Sequence, residues 1–285
     1  MTKERHHHIH PSVISKKWGC GLITTKNTLK GTTQLGIRSA IGPLPRRYHT
    51  DLLQLHYRCL NTTFYTDTML AKTKSIKGNT CSQIYTGGQG FITSYTMKSK
   101  EIAEDTLSDL FTDVGIPKKI IYDGTPEQVG WHTKFQQLIR KNRIEGYHNE
   151  PYTQKYNRAE NSVRELKRRW KQRIIKRRAP KRVWYLGIVW EEKISSSLCR
   201  HGSTTSGIDR ITGDTPGISE WLEFEFYDLC WYWDTPYSEG NSKLGRWLSV
   251  SHRVGMAMCY WILTSTGRTI FITTVLYLNE DEVRN

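Results

Sequence analysis

The chain has 285 residues, of which 37% are apolar and 11% aromatic, and it carries a net charge of +15 at pH 7. The aromatic content argues against a disordered polypeptide, and the length suits one large domain or two to three small ones. The excess of positive charge indicates a polyanionic partner, with nucleic acid as the first candidate and an acidic membrane surface as the second. No apolar run of the sequence approaches the length of a membrane span.

The N-terminal segment, residues 1–41, contains a histidine-rich run, HHHIH, at 6–10. We expect a frayed tail here and no zinc, because a zinc finger needs two later cysteines at close spacing and the first two are Cys20 and Cys59. Residues 12–38 predict two short helices joined by a Gly-Cys-Gly turn, either a helix-turn-helix or a plain helical hairpin. A helix-turn-helix would turn polar side chains of its second helix towards DNA: Thr24, Thr25, Lys26, Asn27 and Lys30.

Residues 42–61 include the proline- and arginine-containing stretch GPLPRRYHTD, which predicts a linker before a core at 62–200. The core begins with an aromatic, β-branched strand, FYTDTM, and continues with two strands around a Gly-Gly turn, which predicts an antiparallel meander. A helix over 99–115, the buried strand KKIIYD, a second helix, a fifth strand and a basic helix follow. The order βββαβαβα predicts an α/β fold, a mixed five-stranded sheet with flanking helices.

The C-terminal third is predicted to add a second, smaller module. VWYLGIVWEEKISSSL predicts one more helix at the end of the core. Residues 201–242 predict a connecting segment, in which a polar loop is followed by an aromatic stretch that is either a strand or a packing arm. Residues 243–285 predict four short strands of the size of a small β-barrel, a module that either binds nucleic acid or packs on the core.

Three acids are candidates for a shared site: Asp67 and Asp123, each predicted to end a strand, and Glu160 in the first turn of the basic helix. Phosphoryl transfer on DNA needs a deprotonated nucleophile and neutralised phosphate charge, which two divalent ions held by carboxylates can supply. Glu160 is preferred as the third ligand because the helix gives it a coherent face. The alternatives are Glu127, which is close to Asp123 in sequence, together with Glu145, Glu165 and Glu150, the last at a strand end before a proline.

The basic helix predicts two different faces. Glu160 shares one side of it with cations at i+4, i+7 and i+11, as a phosphate backbone entering a metal site would require. The predicted nucleic-acid contacts are Arg164, Lys167, Arg168 and Lys171. Another side carries an apolar stripe that would pack on the sheet: Val163, Leu166, Trp170 and Ile174. The alternative for Glu160 is an ordinary charge at a helix N-terminus, with the cations as a solvated face.

At these residues the chain resembles the integrases of long-terminal-repeat retrotransposons of the Ty1/copia type. In that family a core Asp is followed by a second Asp and then a Glu, and here 55 residues lie between Asp67 and Asp123 and 36 between Asp123 and Glu160. The local contexts are similar as well: TDTM, DVGIPKKIIYDG and NRAENSVRELKRRW. The resemblance extends over nearly the whole chain, but the family's N-terminal His-His-Cys-Cys zinc module is not evident.

The resemblance implies a ribonuclease-H-like fold, 3′ processing of retroelement DNA ends and strand transfer into target DNA. It implies that Asp67, Asp123 and Glu160 hold Mg²⁺ or Mn²⁺, and that Arg164 and Lys167 contact the element's DNA end. The implied enzyme is a polynucleotidyl transferase that joins two DNA ends as a homo-oligomer, in the nucleus after a cytoplasmic particle stage, without a membrane partner.

Two other functions remain open. One is a catalytically inactive DNA-binding remnant of an integrase, and the other is a ribonuclease-H-like nuclease that cuts without joining. An intact set of three acids favours the active enzyme. The chain starts at a Met with no protease before it and stops without a reverse transcriptase, which leads us to expect a polyprotein fragment or a decayed genomic copy.

Overall fold

A computed structural model describes residues 9–34, 57–148, 158–200, 202–233, 241–251 and 259–278. Its helices are α1 (Pro11–Trp18), α2 (Leu22–Gly31), α3 (Ala103–Asp113), α4 (Pro126–Val129), α5 (Lys134–Lys141), α6 (Arg158–Arg177), α7 (Trp184–Ser197) and α8 (Gly207–Thr212). Its strands are β1 (Cys59–Leu70), β2 (Cys81–Gly87), β3 (Ile92–Met97), β4 (Ile116–Tyr122), β5 (Glu145–His148), β6 (Leu229–Tyr232), β7 (Lys243–Ser251), β8 (Cys259–Thr264), β9 (Thr269–Ile272) and β10 (Val275–Tyr277). The predicted linker at 42–61 lies largely outside the described residues.

The central sheet has five strands in the order β3-β2-β1-β4-β5. β1, β2 and β3 form an antiparallel meander, while β4 is parallel to β1 and β5 is parallel to β4. The predicted fold class, an α/β fold with a mixed five-stranded sheet and flanking helices, is confirmed. One position differs: β1 continues to Leu70, so Asp67 lies inside this strand and the prediction that it ends the strand was wrong.

Helices cover the sheet on both faces, and each face has its own hydrophobic core. α3 and α5 cover one face, where Phe64 and Ile120 are fully buried. α6 and α7 cover the other, and the predicted apolar stripe of the basic helix is confirmed there: Val163 and Leu166 are buried, and Trp170 and Ile174 pack beside them. The basic run is therefore folded, because the helix buries one side against the sheet.

The N-terminal helix pair packs on this second core, and Ile14 and Trp18 of α1 are among its buried members. Trp18 also donates a hydrogen bond from Nε1 to the carbonyl of Trp221. The Gly-Cys-Gly turn between the helices is confirmed, but Thr25 does not face outward as a helix-turn-helix would require. It is fully buried and donates to the carbonyl of Gly21. Thr25 is thereby removed from the predicted DNA-facing set.

The C-terminal module is a second five-stranded sheet, antiparallel throughout, in the order β10-β6-β7-β8-β9. The four strands predicted within 243–285 are confirmed, and the aromatic stretch before them supplies the fifth, β6. The polar loop predicted in 201–216 contains a helix, α8, in which the side chain of Ser206 caps the first turn by accepting from the amide of Asp209. Trp247 and Ile262 of this sheet are fully buried in the same core as α6 and α7, so the module packs on the core.

Candidate metal and nucleic-acid site

Strand register brings Asp67 and Asp123 to one place. β1 and β4 are parallel neighbours, and Tyr65 pairs with Ile121. Each aspartate follows its member of this pair by two residues, and side chains alternate between the faces of a sheet with a period of two. The two carboxylates therefore share one face of adjacent strands, which lie about 4.8 Å apart.

The start of α6 lies over this same face. The guanidinium of Arg158 is 5.6 Å from the ring centre of Tyr65, and the hydroxyl of Ser162 lies 3.4 Å from that of Thr86 on β2. Glu160 stands between these two anchors, in the first turn of the helix and half-buried. A carboxylate in a first helical turn is stabilised by the positive end of the helix dipole, which accounts for an acid at the head of so basic a helix.

The charges of the three acids reach one another. Burial raises the pKa of the Asp67 carboxyl, and the charges of Asp123 and Glu160 raise it further, whereas the amide of Thr68 and the ammonium of Lys167 act in the opposite direction. One oxygen of Asp67 accepts a hydrogen bond from Thr68 at 2.7 Å, and one oxygen of Asp123 accepts from the amide of Gly124 at 2.9 Å. Negative charge from Asp123 and Glu160 thus acts on Asp67, and the ammonium of Lys167 opposes it.

In the part of the chain that the structure describes, no three His, Cys, Asp or Glu side chains approach closely enough to share a metal ion. The three acids are neighbours, but their carboxylates are not close enough to one another to hold one ion. Among the alternative third acids, Glu165 accepts from both Arg168 and Arg169 and is committed to those ion pairs. Glu145 is exposed on β5, and Glu150 lies outside the described residues.

The predicted DNA-contacting cations of α6 fall into two kinds. Arg164, Lys167 and Lys171 are exposed, and Lys167 acts electrostatically on Asp67. Arg168 is also exposed, but it forms a bidentate pair with Glu165 at 2.8 Å. Such a pair fixes the guanidinium on the protein itself, so Arg168 is less available to a phosphate than its neighbours.

The second half of the basic helix has a different role, which the sequence analysis missed. Arg173 is 8% exposed and donates to Glu191 of α7 and to Glu225, both at 2.5 Å. Arg177 pairs with Glu225 and, at 2.9 Å, with Asp228. These two arginines were not among the predicted DNA contacts, and they belong to an ionic network inside the protein. Its signal was present as acids inside strongly apolar stretches, WEEK and FEFYD.

No helix within the described ranges is long and apolar enough to cross a bilayer.

The chain was compared with known proteins by sequence and by structure. A scan against protein-family models and a search of curated proteins both find no match. Among solved structures, the chain is similar to one from the cryo-EM structure of a simian T-cell lymphotropic virus intasome in complex with PP2A regulatory subunit B56 gamma. The identity is 15% and the TM-score 0.45, over 94% of this chain and 98% of that one. It is also similar to the HTLV-2 integrase catalytic core domain in complex with magnesium, in its dimeric form, at 14% identity and a TM-score of 0.36, over 47% of this chain and 86% of that one.

Proposed function

We propose that the chain is a retroelement integrase of the Ty1/copia type, a polynucleotidyl transferase that trims the 3′ ends of element DNA and joins them to target DNA. One observation carries the proposal. Asp67 and Asp123 share a face of two adjacent parallel strands, and the first turn of α6 brings the half-buried Glu160 to that face. Three carboxylates from three elements, next to exposed cations, suit chemistry on a phosphodiester.

The donor set fits Mg²⁺ or Mn²⁺, which prefer hard carboxylate oxygens. Asp67, Asp123 and Glu160 would hold the metal, and a divalent cation would offset the mutual repulsion that raises the pKa of Asp67. When bound, a pair of such ions supplies an activated nucleophile and neutralises charge on the reacting phosphate. The pKa of Asp67 is raised first by burial and then by the charges of Asp123 and Glu160, and a bound cation would counter both effects.

The chain's own residues would hold and orient the nucleic acid. Lys167 and Lys171 continue the side of α6 that begins with Glu160 and are exposed. From Glu160 to Lys171 the helix rises about 16 Å, since each residue adds roughly 1.5 Å. This row of cations would hold a strand's phosphates as it approaches the carboxylates. The other partners in the proposal are target DNA and further copies of the chain, acting in the nucleus.

An end-processing and joining assay tests the proposal. Purified protein is incubated with a labelled duplex that mimics the element's end, in Mg²⁺ or Mn²⁺. We expect joined products from the wild type and none from Asp123→Asn, while both proteins bind the duplex equally. Binding without cutting in either metal would identify a DNA-binding remnant, and cutting without joining would identify a nuclease.

A matched pair of variants tests the third acid. Glu160→Gln should abolish both reactions, and Glu145→Gln, which removes an exposed acid from β5, should leave them intact. If Glu145→Gln abolished both reactions and Glu160→Gln did not, the assignment of Glu160 to the carboxylate site would be wrong.

Thermal unfolding tests metal binding separately from activity. A ligand that binds only the folded state raises its stability by RT ln(1 + [L]/Kd), which is about 2.7 kcal/mol at a hundredfold excess over Kd. We expect Mn²⁺ to raise the unfolding temperature of the wild type, and not that of Asp67→Asn. An equal rise in both proteins would place the metal elsewhere.

A further inference from the structure

A cationic cavity lies between the C-terminal end of α1 and the middle of α6, away from Asp67 and Asp123. Its volume is about 210 Å³. Residues 16–19, at the end of α1 and its cap, line one part of it. Glu191 of α7 is the one acidic residue of the lining. α6 supplies the remaining residues of the wall: Arg168, Arg169, Gln172, Arg173 and Lys176.

The charges of the cavity are unbalanced. Six lysine and arginine side chains line it against one carboxylate. Just outside, Glu165 and Glu225 pair with lining cations, Asp228 and Glu223 act on Lys17, and Arg177 adds a further cation, which leaves seven positive charges against five negative ones. Three of the cations, Lys16, Arg168 and Lys176, are exposed at the mouth, while Arg169 and Arg173 are held inside by ion pairs with Glu191. A fixed excess of cations around a concave space is a site for an anion.

The crowding also acts on the lysines themselves. Burial lowers the pKa of Lys176, and the positive charges of Arg177, Arg173 and Lys16 lower it further. Burial likewise lowers the pKa of Lys17. A cation whose proton is weakened by like charges is stabilised when an anion arrives. Part of the lowering of the Lys176 pKa thus comes from neighbouring cations, as expected where positive charges are crowded.

We infer that this cavity binds a compact anion that carries two or more phosphate groups. The charge excess calls for more than one negative group, and arginine forks with lysines around them are typical of phosphate recognition. The volume is smaller than the roughly 300–1,000 Å³ of pockets for drug-sized ligands, which favours a short polyphosphate chain or head over a bulky molecule.

Such a ligand would join two parts of the molecule. Lys16 belongs to the N-terminal helix pair, and Lys176 belongs to the helix whose first turn carries Glu160. Binding between them would hold the N-terminal pair against the core. The inference does not depend on the proposed integrase activity, since none of its residues belongs to the carboxylate site.

Calorimetric titration of the full chain with sodium tripolyphosphate tests the inference. We expect one saturable site that binds orthophosphate much more weakly. Lys16→Gln/Lys176→Gln should weaken tripolyphosphate binding by about tenfold or more, since a hydrogen bond to a charged group contributes roughly 1.5–3 kcal/mol. The matched control is Lys118→Gln/Lys141→Gln, which removes two exposed lysines of β4 and α5 outside the cavity and should bind as the wild type does.

The single variant Lys16→Gln is the control for misfolding. Lys16 is exposed, and its loss leaves the ion pairs of α6 in place. It should weaken binding while the unfolding temperature stays unchanged. Absence of tripolyphosphate binding to the wild type, or equal binding by the double variant, would overturn the inference. If the double variant lost affinity only for duplex DNA, the cavity would be a DNA contact and the inference would again be overturned.

Discussion

Arg173 donates a hydrogen bond to Glu225 across 2.5 Å, and both side chains are buried. The contact joins the middle of α6 to the segment that leads into the C-terminal sheet. Because α6 also begins at the carboxylate site, the same helix connects Glu160 with the C-terminal module. The cations of this helix therefore serve two purposes, which are separated along its length: Arg164 and Lys167 are exposed near the acids, and Arg173, Lys176 and Arg177 pair with acids of the network.

Removal of Arg173 should destabilise the protein severely. Arg173→Ala leaves Glu191 without its 2.5 Å partner and weakens the pairing of Glu225, and breaking a buried pair typically costs about 3–5 kcal/mol. Chemical denaturation followed by circular dichroism measures the loss. Arg164→Ala, which removes an exposed arginine of the same helix, should change stability by no more than about 0.5 kcal/mol. Equal midpoints for the two variants would contradict a structural role for the network.

Gly187 allows α7 to approach α6 closely. A Cβ at this position would lie 2.0 Å from a ring carbon of Trp170. Gly187→Ala must therefore displace the indole from its edge-to-face contact with Phe226, and we expect a loss of about 1–3 kcal/mol. Gly88→Ala is the control, because nothing lies within 4 Å of its Cβ position. Trp170→Leu should recover part of the loss in the Gly187→Ala background, and a failure to do so would place the strain elsewhere.

The salt dependence of DNA binding should separate the cations of α6. Each phosphate contact that is lost reduces the slope of log K against log salt by about 0.9 for duplex DNA. We expect Lys167→Gln and Lys171→Gln to reduce it in this way, and Arg168→Gln to have a smaller effect because Glu165 already holds that guanidinium. Fluorescence anisotropy at several salt concentrations gives the slopes. If Arg168→Gln had the largest effect, its pairing with Glu165 would have to open on binding.

Glu192 should make stability depend on pH. Burial raises the pKa of this α7 carboxyl from 4.5 to about 8. The folded state thus holds the proton more tightly than the unfolded state, so ionisation destabilises the fold as pH rises from 4.5 to above 8. Glu192→Gln removes this penalty and should raise the free energy of unfolding above pH 8, with little change below pH 4.5. Glu145→Gln, at an exposed acid, should show no such dependence of stability on pH. A gain in the free energy of unfolding of Glu192→Gln that did not change with pH would show that ionisation of the buried carboxyl is not its cause.

Much of the fold follows from local patterns in the sequence. The strands of the meander are where aromatic and β-branched residues and the Gly-Gly turn predict them, and the apolar stripe of α6 is where helical spacing predicts it, because burial of one side of a helix imposes a period on the chain. Ser99 caps the short 3₁₀ turn at Lys100–Ile102 that leads into α3, and its hydroxyl accepts a hydrogen bond from the amide of Glu101. The candidate acids were chosen on the same local basis, and Asp123 does follow its strand directly.

Relations between distant residues needed the tertiary structure. Only strand register places Asp67 and Asp123 on one face, since a shift by one residue would have put one of them on the other. Only packing decides that Thr25 faces inward and that Arg173 meets Glu191 and Glu225 rather than a phosphate. The sequence shows that a residue is positively charged but not which group it pairs with. The pairing depends on which elements the hydrophobic cores bring together. The sequence by itself determined the elements and the candidate acids, and the packing of α6 against α1, α7 and the segment around Glu225 decided which charges stay exposed and which are paired inside the protein.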